Sequence, residues 1–136
     1  MFHLGELLDN TGVISGVDAA AAALPITGLA YDTRVLESGN AFWAFAGANV
    51  DGREFAPVAV ERGAAVVVSE LEPLENIGVP WIRVDHARRA LAMAAAKFFG
   101  HPDNDLAITA ATGTNGKTTT SWILDQILRR AGKTTA

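Results

Sequence analysis

Thr112-Gly113-Thr114-Asn115-Gly116-Lys117-Thr118-Thr119 decides how this chain is read. A Gly-Lys-Thr triplet behind a glycine-bearing turn is a phosphate-binding arrangement. Gly113 and Gly116 permit backbone angles closed to other residues and let main-chain N–H groups approach phosphate oxygens. A helix beginning near Lys117 would aim its positive end at the anion. Lys117 would reach the β- and γ-phosphates of ATP. The Thr118 hydroxyl would serve Mg²⁺, a hard cation that takes oxygen ligands. Thr114, Asn115 and Thr119 complete the candidate ATP-binding loop. Against the general pattern G-x-x-x-x-G-K-[ST], the first glycine position holds Ala111. The bland alternative is an ordinary strand-to-helix turn with a capping threonine.

The flanks favour the phosphate reading. Leu106-Ala107-Ile108-Thr109-Ala110-Ala111 is a short apolar run, read as a buried strand. Thr120 to Arg130 places Trp122, Ile123, Ile127 and Leu128 at helical spacing. Arg129 and Arg130 suit the last turn of that helix, and Gly132 can end it. Strand, glycine turn and helix are the context a phosphate loop requires.

Upstream, the pattern is α/β. Leu4 to Leu8 reads as a short helix. Strands are expected near Ile26–Tyr31, Ala41–Phe45, Ala64–Ser69 and Val79–Val84. A helix near Phe55–Arg62 is expected to start close to Pro57, which a first turn tolerates. Pro80 marks a strand entry or an edge. Asp85 is the expected N-cap of a helix running from His86 to Phe99. His101-Pro102-Asp103-Asn104-Asp105 is polar and turn-rich, so the boundary is placed there, giving domains 1–101 and 102–136.

Composition narrows the function classes. Of 136 residues, 49% are apolar and 19% charged, which suits a packed globular chain. Fifteen acidic against 11 basic residues leave a net charge of −4, and no basic stripe interleaved with aromatics marks a nucleic-acid partner. No cysteine is present, so disulfides and cysteine zinc sites are excluded. Three scattered histidines show no metal spacing. The N-terminus lacks a signal peptide's basic region and apolar core, and no apolar run is long enough to span a bilayer, so a cytoplasmic protein without membrane insertion is expected.

Further segments narrow the reading. Tyr31-Asp32-Thr33-Arg34 closes an apolar run, and Asp and Thr there are turn formers. Gly47-Ala48-Asn49-Val50-Asp51-Gly52 has the residues of a tight surface loop. By residue type alone these are turn chemistry. Arg88 and Arg89 form a small pair on a helix, with one facing solvent.

Taken in order, the segments resemble the Mur ligase family of peptidoglycan synthesis. T-G-T-N-G-K-T-T-T is similar to that family's ATP loop, and the Asn115–Thr120 version is most similar to its E-type members. Gly28–Arg34 resembles G-x-x-x-D-[ST]-R, and Asp51–Phe55 resembles D-G-H-x-[FY]. Ser38–Gly47 resembles P-G-D-x-F-x-A-x-x-G, with Ser38 and Asn40 in place of Pro and Asp. Phe98–Pro102 resembles the F-[FY]-x-x-P before the ATP domain.

The resemblance implies an N-terminal domain of mixed sheet and helices that binds a UDP-substrate, followed by the first strand–loop–helix unit of an ATP-binding central domain. It implies substrate contacts at Tyr31, Thr33, Ala48, Asn49 and Val50. It also implies an ATP- and Mg²⁺-dependent amide ligase acting on UDP-N-acetylmuramoyl-L-alanyl-D-glutamate and adding meso-diaminopimelate or lysine. Only 17 residues follow Thr119, so the rest of a ligase chain is expected and the 136 residues alone are expected to be inactive. The competing expectations are a non-catalytic UDP-sugar-binding module, an F-type fragment, or a generic phosphate-loop kinase or ATPase. The last leaves Tyr31–Arg34 and Gly47–Gly52 unexplained.

Overall fold

A computed structural model describes residues 2–47 and 51–135. They form two compact units, divided between Pro102 and Asp103.

The first unit is built on a mixed five-stranded sheet in the order β2-β7-β6-β5-β4. β4 (Gly28–Ala30), β5 (Asn40–Ala44), β6 (Val66–Ser69) and β7 (Trp81–Val84) are mutually parallel, and β2 (Val13–Ser15) pairs antiparallel with β7. Every residue of β5 and β6 is buried, as expected for central strands covered on both faces. Strand alternation sorts their side chains into two cores. Ala41, Trp43, Val66, Val68, Ile82 and Val84 pack under α1 (Leu4–Leu8) and α4 (Ala87–Phe98). Phe42, Ala44, Val67 and Trp81 pack with Ala56 and Ala59 of α3 (Ala56–Glu61).

α1 forms over the expected residues, with Leu4, Leu7 and Leu8 buried and the Glu6 carboxylate accepting from the His3 N–H at 2.9 Å. α3 carries Pro57 in its first turn. The expected strand at Ile26–Tyr31 is two strands. β3 (Pro25–Ile26) pairs with β1 (Phe2–His3) in a separate two-stranded sheet, and β4 joins the main sheet. The chain changes sheets at Thr27, whose N–H donates to Gly39 O at 3.1 Å and whose hydroxyl donates to Ser38 O at 3.1 Å.

β7 begins at Trp81, directly after Pro80, whose carbonyl accepts from Val67 N–H at 3.0 Å. The proline thus stands at the entry of an inner strand, where its missing N–H leaves no gap in the ladder. The cap of α4 is His86 rather than Asp85: His86 Nδ1 accepts from Arg89 N–H at 3.4 Å. Asp85 is still tied to the preceding chain, its N–H donating to Gly12 O at 2.8 Å. β2 and the four-residue α2 (Ala19–Ala22), capped by Asp18 accepting from Ala21 N–H at 2.7 Å, were not anticipated.

The second unit contains α5 (Lys117–Arg130), three residues longer at its start than the apolar spacing indicates. The strand expected over 106–111 is absent. Leu106 and Ile108 are 62% and 73% exposed, and among the described residues no strand pairs with this segment. An apolar run becomes a strand only when a neighbour takes up its backbone groups.

Candidate functional site

In the first unit two of the expected contact residues, Tyr31 and Thr33, lie beyond the carboxyl end of a parallel strand, where ligands of open α/β sheets usually bind. Tyr31 and Thr33 follow β4. Asp32 turns the chain between them, its carboxylate accepting from Arg34 N–H at 2.9 Å and from the Arg34 guanidinium at 3.0 Å. Those bonds, the guanidinium first, hold the Asp32 pKa down at about 2. Thr33 opens a short 3-10 turn, Thr33–Val35, and its carbonyl accepts from Arg62 at 2.7 Å. Tyr31 is 67% exposed, and its ring lies 6.1 Å from that of Phe45.

Ala48, Asn49 and Val50 lie outside the described residues. The loop carrying them leaves β5 through Phe45 and Ala46, and its base is defined. Ala46 and Asp51 form an antiparallel bridge, and Gly52 N–H donates to Phe45 O at 3.0 Å. Asp51 repeats the device of Asp32. It accepts from Arg53 N–H at 2.9 Å and from the Arg53 guanidinium at 2.8 Å, and these bonds lower its pKa, the guanidinium contributing most.

Two residues missed by sequence reasoning tie this rim together. Glu70 follows β6 and accepts from Ala46 N–H at 2.9 Å and from Ala87 N–H at 2.7 Å, joining the loop base to the start of α4. Arg88 lies with its guanidinium 4.8 Å from the Phe45 ring centroid and donates to Ala46 O at 3.4 Å. The available signal was position: Glu70 stands just past the carboxyl end of β6, and Arg88 is the second residue of α4. Phe45 carried a signal of its own, as the last aromatic of the run read as a buried strand.

In the second unit, Gly113 and Gly116 take φ of 142° and 78°. These values are readily available only to glycine. Gly116 offers no side chain to cap α5, so the N–H groups of the helix's first turn lack a side-chain cap from that position. Those N–H groups are the kind an anion satisfies. Lys117 Nζ donates back across the loop to Gly113 O at 2.6 Å and Thr114 O at 3.5 Å. A cavity of about 250 Å³ runs beside this loop, lined in part by Thr112, Asn115, Gly116, Lys117 and Thr120. Thr118 and Thr119 fall in the first turn of α5, with Thr118 O accepting from the Ser121 hydroxyl at 3.0 Å. Among the described residues no cluster of three His, Cys, Asp or Glu could hold a metal ion, and no helix is long and apolar enough to cross a membrane.

The sequence profile described as "Mur ligase family, catalytic domain" matches residues 25–99. The UDP-N-acetylmuramoyl-L-alanyl-D-glutamate--2,6-diaminopimelate ligase of Solibacter usitatus is 47% identical over 98% of this chain, which spans 27% of that protein. A solved structure of a ligase with that same name aligns over 96% of this chain and 26% of its own length, with TM-score 0.72 and 26% identity. MurF from Acinetobacter baumannii aligns over 77% of this chain and 22% of its own, with TM-score 0.61 and 33% identity. The chain therefore covers about a quarter of the relatives it matches. The matched profile spans more than half of the 136 residues, and the sheet matches the N-terminal region of solved relatives, so the chain belongs to the Mur ligase family.

Proposed function

We propose that residues 1–101 are the UDP-substrate-binding domain, and residues 102–136 the start of the ATP-binding domain, of an E-type Mur ligase. The observation that carries this is the 47% identity to a 2,6-diaminopimelate-adding ligase across both units, phosphate loop included. The substrate is then UDP-N-acetylmuramoyl-L-alanyl-D-glutamate, met at the carboxyl-end rim by Tyr31, Thr33 and the loop of Ala48, Asn49 and Val50. The added amino acid is meso-diaminopimelate.

In the full enzyme, the substrate carboxylate attacks the γ-phosphorus of ATP, giving an acyl phosphate and ADP. The amino group of the incoming amino acid then displaces phosphate and forms the amide. This chain contributes charge neutralisation and positioning. The uncapped first turn of α5 and the Gly113–Thr119 backbone bind phosphate oxygens. Lys117 exchanges its loop carbonyls for the β- and γ-phosphates. The loop would hold the phosphate end of the nucleotide, beside the cavity of about 250 Å³. The Thr118 hydroxyl suits Mg²⁺ as a single oxygen ligand, the remainder coming from phosphates and from other groups of the full ligase. The metal would supply charge neutralisation at the transferring phosphoryl group.

Lys117→Ala in a full-length ligase carrying this sequence is expected to lower turnover by about 10²-fold or more. Affinity for the UDP-substrate should stay within about twofold, a difference below ~0.5 kcal/mol. Steady-state kinetics and calorimetry read the two quantities, and wild-type turnover in the variant refutes the loop's role.

The F-type likeness supports a second reading, in which the acceptor is the UDP-linked tripeptide. Titrating the chain with UDP-linked dipeptide and tripeptide separates the two, with tighter dipeptide binding expected.

A further inference from the structure

The arginines near the rim divide by partner. Arg34 is forked onto Asp32, Arg53 onto Asp51, Arg83 pairs with Glu72 at 2.7 Å, and Arg89 lies 3.9 Å from Asp85. Arg62 donates to a carbonyl but stands near enough to Asp32 to help lower its pKa. Arg88 differs from all of these. Among the described residues it has no carboxylate partner, and its contacts are the face of Phe45 and the carbonyl of Ala46. An aromatic face and one carbonyl orient a guanidinium without neutralising it. They also leave most of its five N–H donors unused.

The Asp-x-Arg pairs show that this rim neutralises its arginines when they serve a turn. Arg88 is exposed and oriented on the Phe45 ring, which also lies 6.1 Å from the exposed ring of Tyr31. A cation held on one side of an aromatic platform suits a ligand with a planar base and an adjoining phosphate anion.

We propose that Arg88 is the cation on this rim that pairs with the diphosphate of a bound uridine nucleotide. The inference rests on the first unit being the UDP-substrate site. It adds a specificity-determining residue that sequence reasoning placed only in a helix pair with Arg89, one of the two facing solvent. A guanidinium–phosphate bond is charge-assisted and frequently bidentate, so a neutral or single-point substitute loses much of it.

The test uses the 136-residue chain, titrated by NMR with UDP and, as the phosphate-free control, uridine. Thermal melts of each variant verify folding. Arg88→Gln is expected to weaken UDP by about 10-fold or more, the loss of one charged hydrogen bond, and to leave uridine within about twofold. Arg88→Lys should recover part of the UDP affinity. Unchanged UDP affinity in Arg88→Gln overturns the proposal. So does an equal loss for UDP and uridine, which would make Arg88 an anchor of the loop base. If the unsubstituted chain binds neither UDP nor the UDP-linked dipeptide, the site reading itself fails and the proposal with it. Binding by the unsubstituted chain with no change in the variant defeats the Arg88 assignment alone.

Discussion

Asp32 and Arg34 show how one residue pair shapes the rim. The Asp32 carboxylate accepts from the Arg34 guanidinium and from the Arg34 N–H, closing the turn that presents Thr33. Its pKa in the fold is about 2, against 3.8 for a free aspartate. Because the folded value is the lower one, ionised Asp32 favours the native state. That contribution is fully present above about pH 4, where unfolded Asp is ionised, and is lost as pH falls through about 2. Carboxyl-carbon NMR across this range should show Asp32 titrating near 2 in the native chain. Arg34→Met should move that midpoint up toward the ordinary aspartate value. A native midpoint near 4 would remove the fork as the cause. Glu70 does different work, because its two backbone partners come from separate elements. It couples the end of β5 to the start of α4, and nothing in its local sequence announces that role.

At the scale of elements, Gly52 is where the loop after β5 is forced shut. A Cβ at position 52 would lie 2.5 Å from Phe45 O and 2.7 Å from Phe45 N, both main-chain atoms with no flexible end to move aside. Gly52→Ala is therefore expected to destabilise the first unit by about 1–3 kcal/mol, the usual cost of overpacking. Urea denaturation measures this, and a midpoint equal to that of the unsubstituted chain would show that the loop base can relax.

The elements also differ in how far local sequence reveals them. α1 was legible because Leu4, Leu7 and Leu8 sit at helical spacing over the core. β5 and β6 were legible as apolar runs buried on both faces. The break at Thr27 was not, because it is set by Ser38 and Gly39, distant in the chain. β2 is three exposed residues with no alternation to read, and it exists because β7 offers it an edge. The segment 106–111 has strand composition but no neighbour to pair with among the described residues. The candidate site divides in the same way. Asp32 and Asp51 declare their turns by residue type, while Arg88 and Glu70 reach Phe45 and Ala46 only through the order of strands in the sheet.

Across the whole molecule, burial is uneven between the two units. β5 is paired on both sides and each of its residues is buried, as is each residue of β6. α5 has no buried residue, and Trp122, Ile123 and Ile127 are 63%, 47% and 57% exposed. Its 14 residues must hold a helix chiefly by local means. Helices of ~12–15 residues without tertiary packing are marginal in water. The local support is modest. Arg129 Nε pairs with Asp125 Oδ1 at 2.8 Å one turn away, and Gly132 at φ 74° lets Lys133 N–H reach Leu128 O at 3.0 Å. An exposed pair of that kind contributes about 0.2–0.5 kcal/mol, far short of what a buried apolar face supplies. Amide exchange should therefore be slowest in β5 and β6, where opening requires unfolding the first unit. The amides of Lys117–Arg130 should exchange orders of magnitude faster under the same conditions, with the first unit still folded. Adding ATP and Mg²⁺ should slow the first turn of α5 before its last, since phosphate would occupy the N-terminal N–H groups. Protection in α5 equal to that in β5, measured by mass spectrometry on the 136-residue chain, would show that the helix draws its stability from packing rather than from its own caps and pairs.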